Sequence, residues 1–555
     1  VEQVEVTAYR TPLAALNSPA STRTLDQAEL ARAAAPTLDG KLREVPGFVL
    51  FRRTSALVAN PTTQGVSLRG LGSTAASRTL VVSDDVPLND PYGGWIHWDE
   101  LPSLAIRSVE VVRGGASDLY GSSAIGGVVN VIPVAPEKSG EAPRLELMSG
   151  YGAEATTDNA ALGTMARGRY GAMLAAGLMA TDGYVLVAPA LRGAVDTRSN
   201  VHAENGLFEA DRTVGTDSRV FLRSNVLNEN RHNGTQLTVN ATRLWRYAAG
   251  ADLTRLSARA YGASEHYYQS FSSVGAGRGS ERLTRTNEDP DNELGASGRW
   301  TQPVFRDTVL VAGGDVRDVR AADYAFSPSV PVTVTSTTAR QRQTGGYGEI
   351  LATPGAWTLS GSARVDHFSN GDAAQYPAAG GVKPEPSLSE TVVDPRLGIS
   401  RRITPVFAVN ASGFRAYRAP TENELYRTGQ VGQQTTLPNP ALRSERATGW
   451  ETGVAAAPAW WTSSLRASYF WTQVNRPITA LTLSTTPTAT TLMRENLGQI
   501  ESRGVSLDGI VHPTVTLPAE TRLTIEGGYQ FAIATVTQFA QEPKLVGKWI
   551  PQVAR

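Results

Sequence analysis

The chain has 555 residues, 52 Lys and Arg against 52 Asp and Glu, and no cysteine. Zero net charge without a basic stripe argues against a nucleic-acid partner, and the missing cysteines exclude a disulfide framework, a thiolate metal site and a cysteine nucleophile. No apolar run approaches the roughly 18 residues of a membrane-spanning helix, so such a chain can enter a bilayer only as a β-barrel, which pairs its backbone between strands.

Residues 1–12, VEQVEVTAYRTP, alternate, with Val4, Val6 and Ala8 on one side and Glu5 and Thr7 on the other. Thr24 or Asp26 can cap a helix over 28–35. A second helix should stop at Pro46-Gly47 and lead into a strand. Strands follow in GVSLRGLG (65–72) and SRTLVVSDDVPLND (77–90), where Asp85 has to occupy a tight turn with left-handed φ. The loop 91–98, PYGGWIHW, carries Tyr92, Trp95, His97 and Trp98 beside Asn89 and Asp90. Such a cluster serves either as packing or as π faces with a few aimed hydrogen bonds for a small ligand. Arg52 and Arg53 are either a solvated pair or a lure for an anionic chelate. Residues 107–132, RSVEVVRGGASDLYGSSAIGGVVNVI, read as a strand (109–112), a Gly-rich turn, a connector ending at Tyr120-Gly121 and a second strand (128–132).

From Pro136 onward the chain becomes short alternations. Trp357, Leu359, Gly361, Ala363 and Val365 alternate with Thr358, Ser360, Ser362, Arg364 and Asp366. Leu465, Ala467, Tyr469 and Trp471 alternate with Ser464, Arg466, Ser468 and Thr472, with Phe470 the exception. One face is apolar and the other polar, which suits lipid outside and lumen inside; alternation alone does not separate this from a soluble sandwich. Polar segments 228–236, 264–291, 326–344 and 370–394 are too long for hairpin turns and read as extracellular loops. Within one of them, His266, Tyr267 and Tyr268 form an aromatic patch suited either to closing over a ligand or to a membrane-interface girdle. No HExxH, GxxxxGK[ST] or GxSxG string occurs, and the six histidines lack metal-ligand spacing, so neither an enzyme nor a metal site is expected.

In chain order, the segment at 4–8, LREVPGFVLFRR, GVSLRGLG, VVSDDVPLND, the 107–132 unit, ASGFRAYRAPTENELYR (411–427), NPALRSERATGWETGV (439–454), NLGQIESRGV (496–505) and KWIPQV (548–553) resemble words of the TonB-dependent outer-membrane receptors. The resemblance implies a large transmembrane antiparallel β-barrel with a small α/β plug in its lumen, divided as a TonB box and linker (1–10), a plug (11–135) and a barrel (136–555). It implies export behind a removed signal peptide and a monomer in the bacterial outer membrane, in contact with lipid and lipopolysaccharide. It implies energy-coupled uptake of a scarce nutrient, a ferric siderophore before cobalamin, with no covalent cofactor and a metal chelate as cargo carrying iron or cobalt. The partner is TonB with its inner-membrane energising complex, pairing with Val4, Glu5, Val6, Thr7 and Ala8 by strand addition. Ligand contacts are expected from Arg52, Arg53, Asn89, Asp90, Tyr92, Trp95, His97 and Trp98 on the plug apex and from His266, Tyr267, Tyr268 and Tyr426 in outer loops. Family barrels have about 22 strands, so roughly four to six strands, on the order of a hundred residues, are expected to be missing at the C-terminal side. A passive porin or surface-binding barrel and a soluble multidomain β-protein are the competing classes.

Overall fold

The computed structural model describes the chain except residues 1–4, 7–9, 11–12, 73, 217, 432, 459–462, 487–488, 514–522, 552 and 554–555. The N-terminal part is built on a five-stranded sheet in the spatial order Ser21–Asp26, Ile106–Arg113, Gly127–Pro133, Leu80–Ser83, Val86–Pro87. Both its faces are apolar, as continuous Val-rich strands require. Val109, Val111, Val129 and Val131 pack with Leu25 and Leu42 on one face, and Leu80, Val82, Val112 and Val128 line the other. The helix Gln27–Arg32 starts at Asp26, whose side chain accepts from Glu29 N while Glu29 reaches back, a reciprocal capping box; the helix is shorter than the expected 28–35. The next helix is Leu38–Leu42. The turn after Leu80–Ser83 places both Asp84 (φ 49°) and Asp85 (φ 69°) in left-handed conformation. Gly127 (φ 141°) is required sterically, because a Cβ there would lie 2.0 Å from Val112 O.

Around this plug runs an 18-stranded sheet, from Arg144–Gly152 to Ile525–Gln538, in which successive strands pair antiparallel. Among the described residues its first and last strands do not pair with each other. The burial pattern is inverted relative to a soluble protein. Along Trp357–Tyr376, Trp357, Leu359 and Val365 are exposed while Thr358, Ser360, Arg364 and Asp366 are buried. An exposed apolar face with a buried polar face is the arrangement of a barrel standing in lipid around a polar lumen, and it removes the soluble-sandwich reading. Phe470, the break in its strand's pattern, faces the lumen with the Arg69 guanidinium 4.9 Å from its ring centroid.

Connections at one end of the sheet are short, such as 168–169, 306–307 and 405–406; those at the other, such as 185–195, 419–444 and 476–498, are long. That asymmetry marks the long end as extracellular. The expected loops 228–236, 264–291, 326–344 and 370–394 are corrected: most of their residues extend paired strands, including Arg219–Thr235, Leu256–Val274, Glu281–Phe305, Thr333–Ala352 and Trp357–Tyr376. Two long connections instead fold together, their strands Gly429–Val431, Gln434–Leu437, Thr490–Asn496 and Ile478–Thr485 making a small sheet over the extracellular mouth.

Candidate functional site

Two adjoining cavities, about 440 Å³ and 470 Å³, lie between the plug and this cover and share Phe51, Thr63, Gln269, Gln430 and Gln434. Their floor is a plug loop held by its own caps. Ser55 Oγ accepts from Leu57 N at 3.3 Å, and Asn60 Oδ1 from Thr62 N at 3.0 Å, so two short 3-10 turns present Thr62 and Thr63 upward. The walls carry Arg78, Arg427 and Arg494. Arg78 donates to Glu445 at 2.6 Å, and Arg418 bridges Glu445 (2.5 Å) to Glu424 (2.8 Å). Arg427 pairs with Asp289 at 2.9 Å and donates to Gln269 at 3.1 Å. Arg494 differs: it donates to Arg427 O at 2.7 Å and, among the described residues, forms no ion pair. Burial pulls its guanidinium down to about 10. A buried cation with no carboxylate at ion-pair distance, amid Thr and Gln groups and with Glu424 of the same lining taken up by Arg418, is suited to an anionic ligand with hydroxyl or amide groups.

The residues expected from sequence are distributed differently. Arg52 borders one cavity, but its guanidinium is bound to Asp39 at 2.6 Å; Arg53 is exposed and lines neither cavity. Asn89 ties Val81 N (2.8 Å) to Thr79 O (3.3 Å). Asp90 accepts from Gly93 N. Tyr92 and Trp95 pack on Ala321 of the barrel, Trp95 also meets Tyr267 at 5.9 Å between rings, and Trp98 meets Phe48 edge-on at 5.8 Å. Tyr92 and Trp95 are thus plug–barrel packing and Trp98 belongs to the plug's own core, and none of the three lines the two cavities under the cover. His97 is buried between plug and barrel, 3.2 Å from Glu265 and 3.6 Å from Asp90; burial opposes its charge, but the two carboxylates outweigh it and hold the imidazole well above its usual range.

On strand Leu256–Val274 the residues alternate. Tyr267 faces the lumen, where Asn240 donates to its hydroxyl at 2.5 Å, while exposed His266 and half-buried Tyr268 face outward. Tyr426 is enclosed by Leu425, Leu442 and Ile478. In the segment expected to meet TonB, Glu5–Val6 pairs with Leu13–Ala14; Val4, Thr7 and Ala8 lie outside the described residues. Arg10, next along, stacks 4.0 Å from the Tyr120 ring centroid and pairs with Asp85. Asp85 in turn lies 3.5 Å from Arg299, which places Arg10 toward the short-turn end of the barrel.

Sequence reasoning passed over Phe51, Thr62, Thr63, Gln430, Gln434 and Arg494. The only local signal was polar enrichment in NPTTQ (60–64) and TGQVGQQTT (428–436).

The family model "TonB dependent receptor-like, beta-barrel" matches residues 188–555, and that of the "TonB-dependent Receptor Plug Domain" matches 14–128. A curated relative, "Vitamin B12 transporter BtuB" of Vibrio vulnificus, is 31% identical over 188 residues, 34% of this chain and 29% of the relative. The "Iron-regulated outer membrane virulence protein" of Vibrio cholerae is 33% identical over 127 residues, 21% of this chain and 17% of the relative. These matches thus span less than a third of each relative. Among solved structures, the "Copper transporter OprC" superposes with TM-score 0.75 at 14% identity, covering 96% of this chain and 82% of that one. The ferric-catecholate import receptor Fiu of E. coli superposes with TM-score 0.73 at 13% identity, covering 100% and 85%.

Proposed function

The chain belongs to the TonB-dependent receptor family of the bacterial outer membrane, and from that premise we propose that it imports a scarce anionic metal chelate, of the ferric-siderophore class, at the expense of energy delivered by TonB. The observation that carries this reading is Arg494, a buried cation with no carboxylate at ion-pair distance among the described residues, lining the cavity beneath the small covering sheet. The chelate binds between Thr62, Thr63 and the overlying Gln430 and Gln434. Binding favours a plug state in which Glu5–Val6 leave their pairing with Leu13–Ala14 and the 4–8 segment becomes available in the periplasm, where TonB adds it to its own sheet edge and pulls. The ligand acts only through unequal affinity for the box-held and box-released states.

Cobalamin is the second reading, favoured by the partial identity to the vitamin B12 transporter. Elemental mass spectrometry on the full-length protein, purified after exposure to spent medium of its host, separates the two: iron supports the siderophore reading and cobalt with corrin absorbance replaces it. For the energy coupling, deleting residues 1–8 should leave ligand binding intact and abolish uptake, and full uptake by that variant would sink it. Arg494→Gln should weaken binding of an anionic chelate by about 1.5–3 kcal/mol, the worth of a charge-assisted hydrogen bond, measured by titration in detergent.

A further inference from the structure

Below the cavity floor, one imidazole and two carboxylates converge across the seam between plug and barrel. Asp90 and His97 come from the plug loop, and Glu265 from the barrel strand Leu256–Val274. His97 Nε2 lies 3.2 Å from Glu265 Oε1 and 3.6 Å from Asp90 Oδ2, and one donor atom from each residue falls within 4.8 Å of the others. A zinc-type ion sits about 2.0–2.2 Å from such N and O donors, which sets neighbouring tetrahedral donors roughly 3.3–3.5 Å apart. The two measured separations bracket that edge length.

The surroundings ask for a cation. Asp90 and Glu265 are each 2% exposed and His97 3%, yet Asp90 Oδ2 and Glu265 Oε2 accept no hydrogen bond among the described residues. Asp291, also 2% exposed with an unpartnered Oδ1, adds a third carboxylate to the same neighbourhood. With all three carboxyls ionised, a single imidazolium would not balance the group. Arg246 does not balance it either, being committed to Glu100 at 2.8 Å and near Glu293 at 3.6 Å. Buried oxygens left unpaired are costly, whereas a divalent ion satisfies several at once and matches the charge of two carboxylates.

We propose that Asp90, His97 and Glu265 form a binding site for a divalent transition-metal ion of the zinc class, which ties the plug to the barrel wall separately from any cargo in the cavity above. Mixed imidazole and carboxylate donors suit zinc and its neighbours rather than copper(I), which selects sulfur ligands. Three protein ligands leave one position for water. The ion joins two elements that are 168 residues apart in sequence, so its binding has to oppose movement of the 89–98 loop away from the wall.

The test uses the full chain in detergent, stripped by a chelator and titrated with zinc chloride, then with cobalt(II) chloride to read the coordination geometry. The expected result is one zinc per chain and the visible bands of a low-symmetry cobalt site. His97→Ala and Glu265→Gln, each checked for fold by circular dichroism, should weaken binding by on the order of 10- to 100-fold or more, a range already reached by losing groups that only orient a ligand. Arg494→Gln should bind zinc as the parent does. Zinc binding that is absent, or equal in the parent and in both ligand variants, overturns the proposal and leaves His97 as an imidazolium held between two carboxylates.

Discussion

Glu445 accepts from two guanidinium groups at once, Arg78 of the plug and Arg418 of the barrel, and none of the three side chains is more than 5% exposed. Coulomb attraction repays the desolvation of these ions only while the set is complete. Glu445→Gln should therefore cost about 3–5 kcal/mol, the price of leaving buried charge uncompensated, read as a lower denaturant midpoint of plug unfolding by tryptophan fluorescence. An unchanged midpoint would mean that water already reaches the network. Asp84 poses the matching question at the short-turn end. Burial alone would raise its carboxyl, but Arg223 (3.2 Å), Arg259 (3.1 Å) and Arg219 (3.8 Å) outweigh that and hold it below the usual carboxylate range. A depressed carboxyl binds protons less readily in the folded than in the unfolded chain. Its contribution is thus complete above the unfolded value near about 3.9 and is lost as pH falls through the lower folded value. Asp84→Asn should lower stability at neutral pH by about 1.5–3 kcal/mol, the worth of a hydrogen bond to a charged group, and should flatten that part of the acid transition. A variant as acid-sensitive as the parent would assign the transition to other carboxylates.

At the scale of strands, the hairpin of Leu256–Val274 and Glu281–Phe305 stays paired from Leu256 with Trp300 to Val274 with Glu281, through the stretch that reads as loop in sequence. Backbone amides at 264–274 and 281–291 should accordingly exchange as slowly as those lower on the same strands, with fast exchange confined to the tip around Ala276–Arg278. Rapid exchange over the whole of 264–291 would restore the loop. The misreading has a physical origin. Alternation is visible only where one face meets lipid; toward the extracellular rim both faces carry polar groups, so Glu265, Tyr267 and Gln269 inside and His266 and Tyr268 outside show no contrast in sequence though their period is still two. The plug was more legible because its signals are local. The helix cap at Thr24 or Asp26, which the structure assigns to Asp26, the Gly-rich breaks around Ile106–Arg113 and the aspartate turn each act within a few residues. The cavity was not legible, since the apex loop, Gln269, the 427–436 stretch and Arg494 meet only after the barrel has wrapped. The Asp90, His97 and Glu265 cluster was hidden for the same reason.

For the whole molecule, the inverted burial pattern sets the energetics. Leu397 is 71% exposed, and its strand places it between Gly361 and Gly413 with exposed Ile399 two residues on. It lies on strand Leu388–Thr404, seven residues before the short-turn end, which at barrel tilt puts it in the middle of the hydrocarbon layer rather than at either rim. In a water-soluble β-protein, changing such an exposed leucine to arginine would shift stability by only about 0.5 kcal/mol or less. In a barrel the guanidinium must either enter lipid or thin it locally, so Leu397→Arg should cost about 2–4 kcal/mol in refolding equilibria measured in lipid vesicles. The depth dependence is the stronger discriminator. His266 also faces outward but stands ten residues above the short-turn end of its own strand, close to the outer interface, and His266→Arg should cost only about 0–1 kcal/mol. Equal costs at the two sites would contradict a bilayer around this belt. A large cost at Leu397 with a small one at His266 follows from a single cause: the same apolar stripe that made the strands visible in sequence is the surface that holds the protein in the membrane.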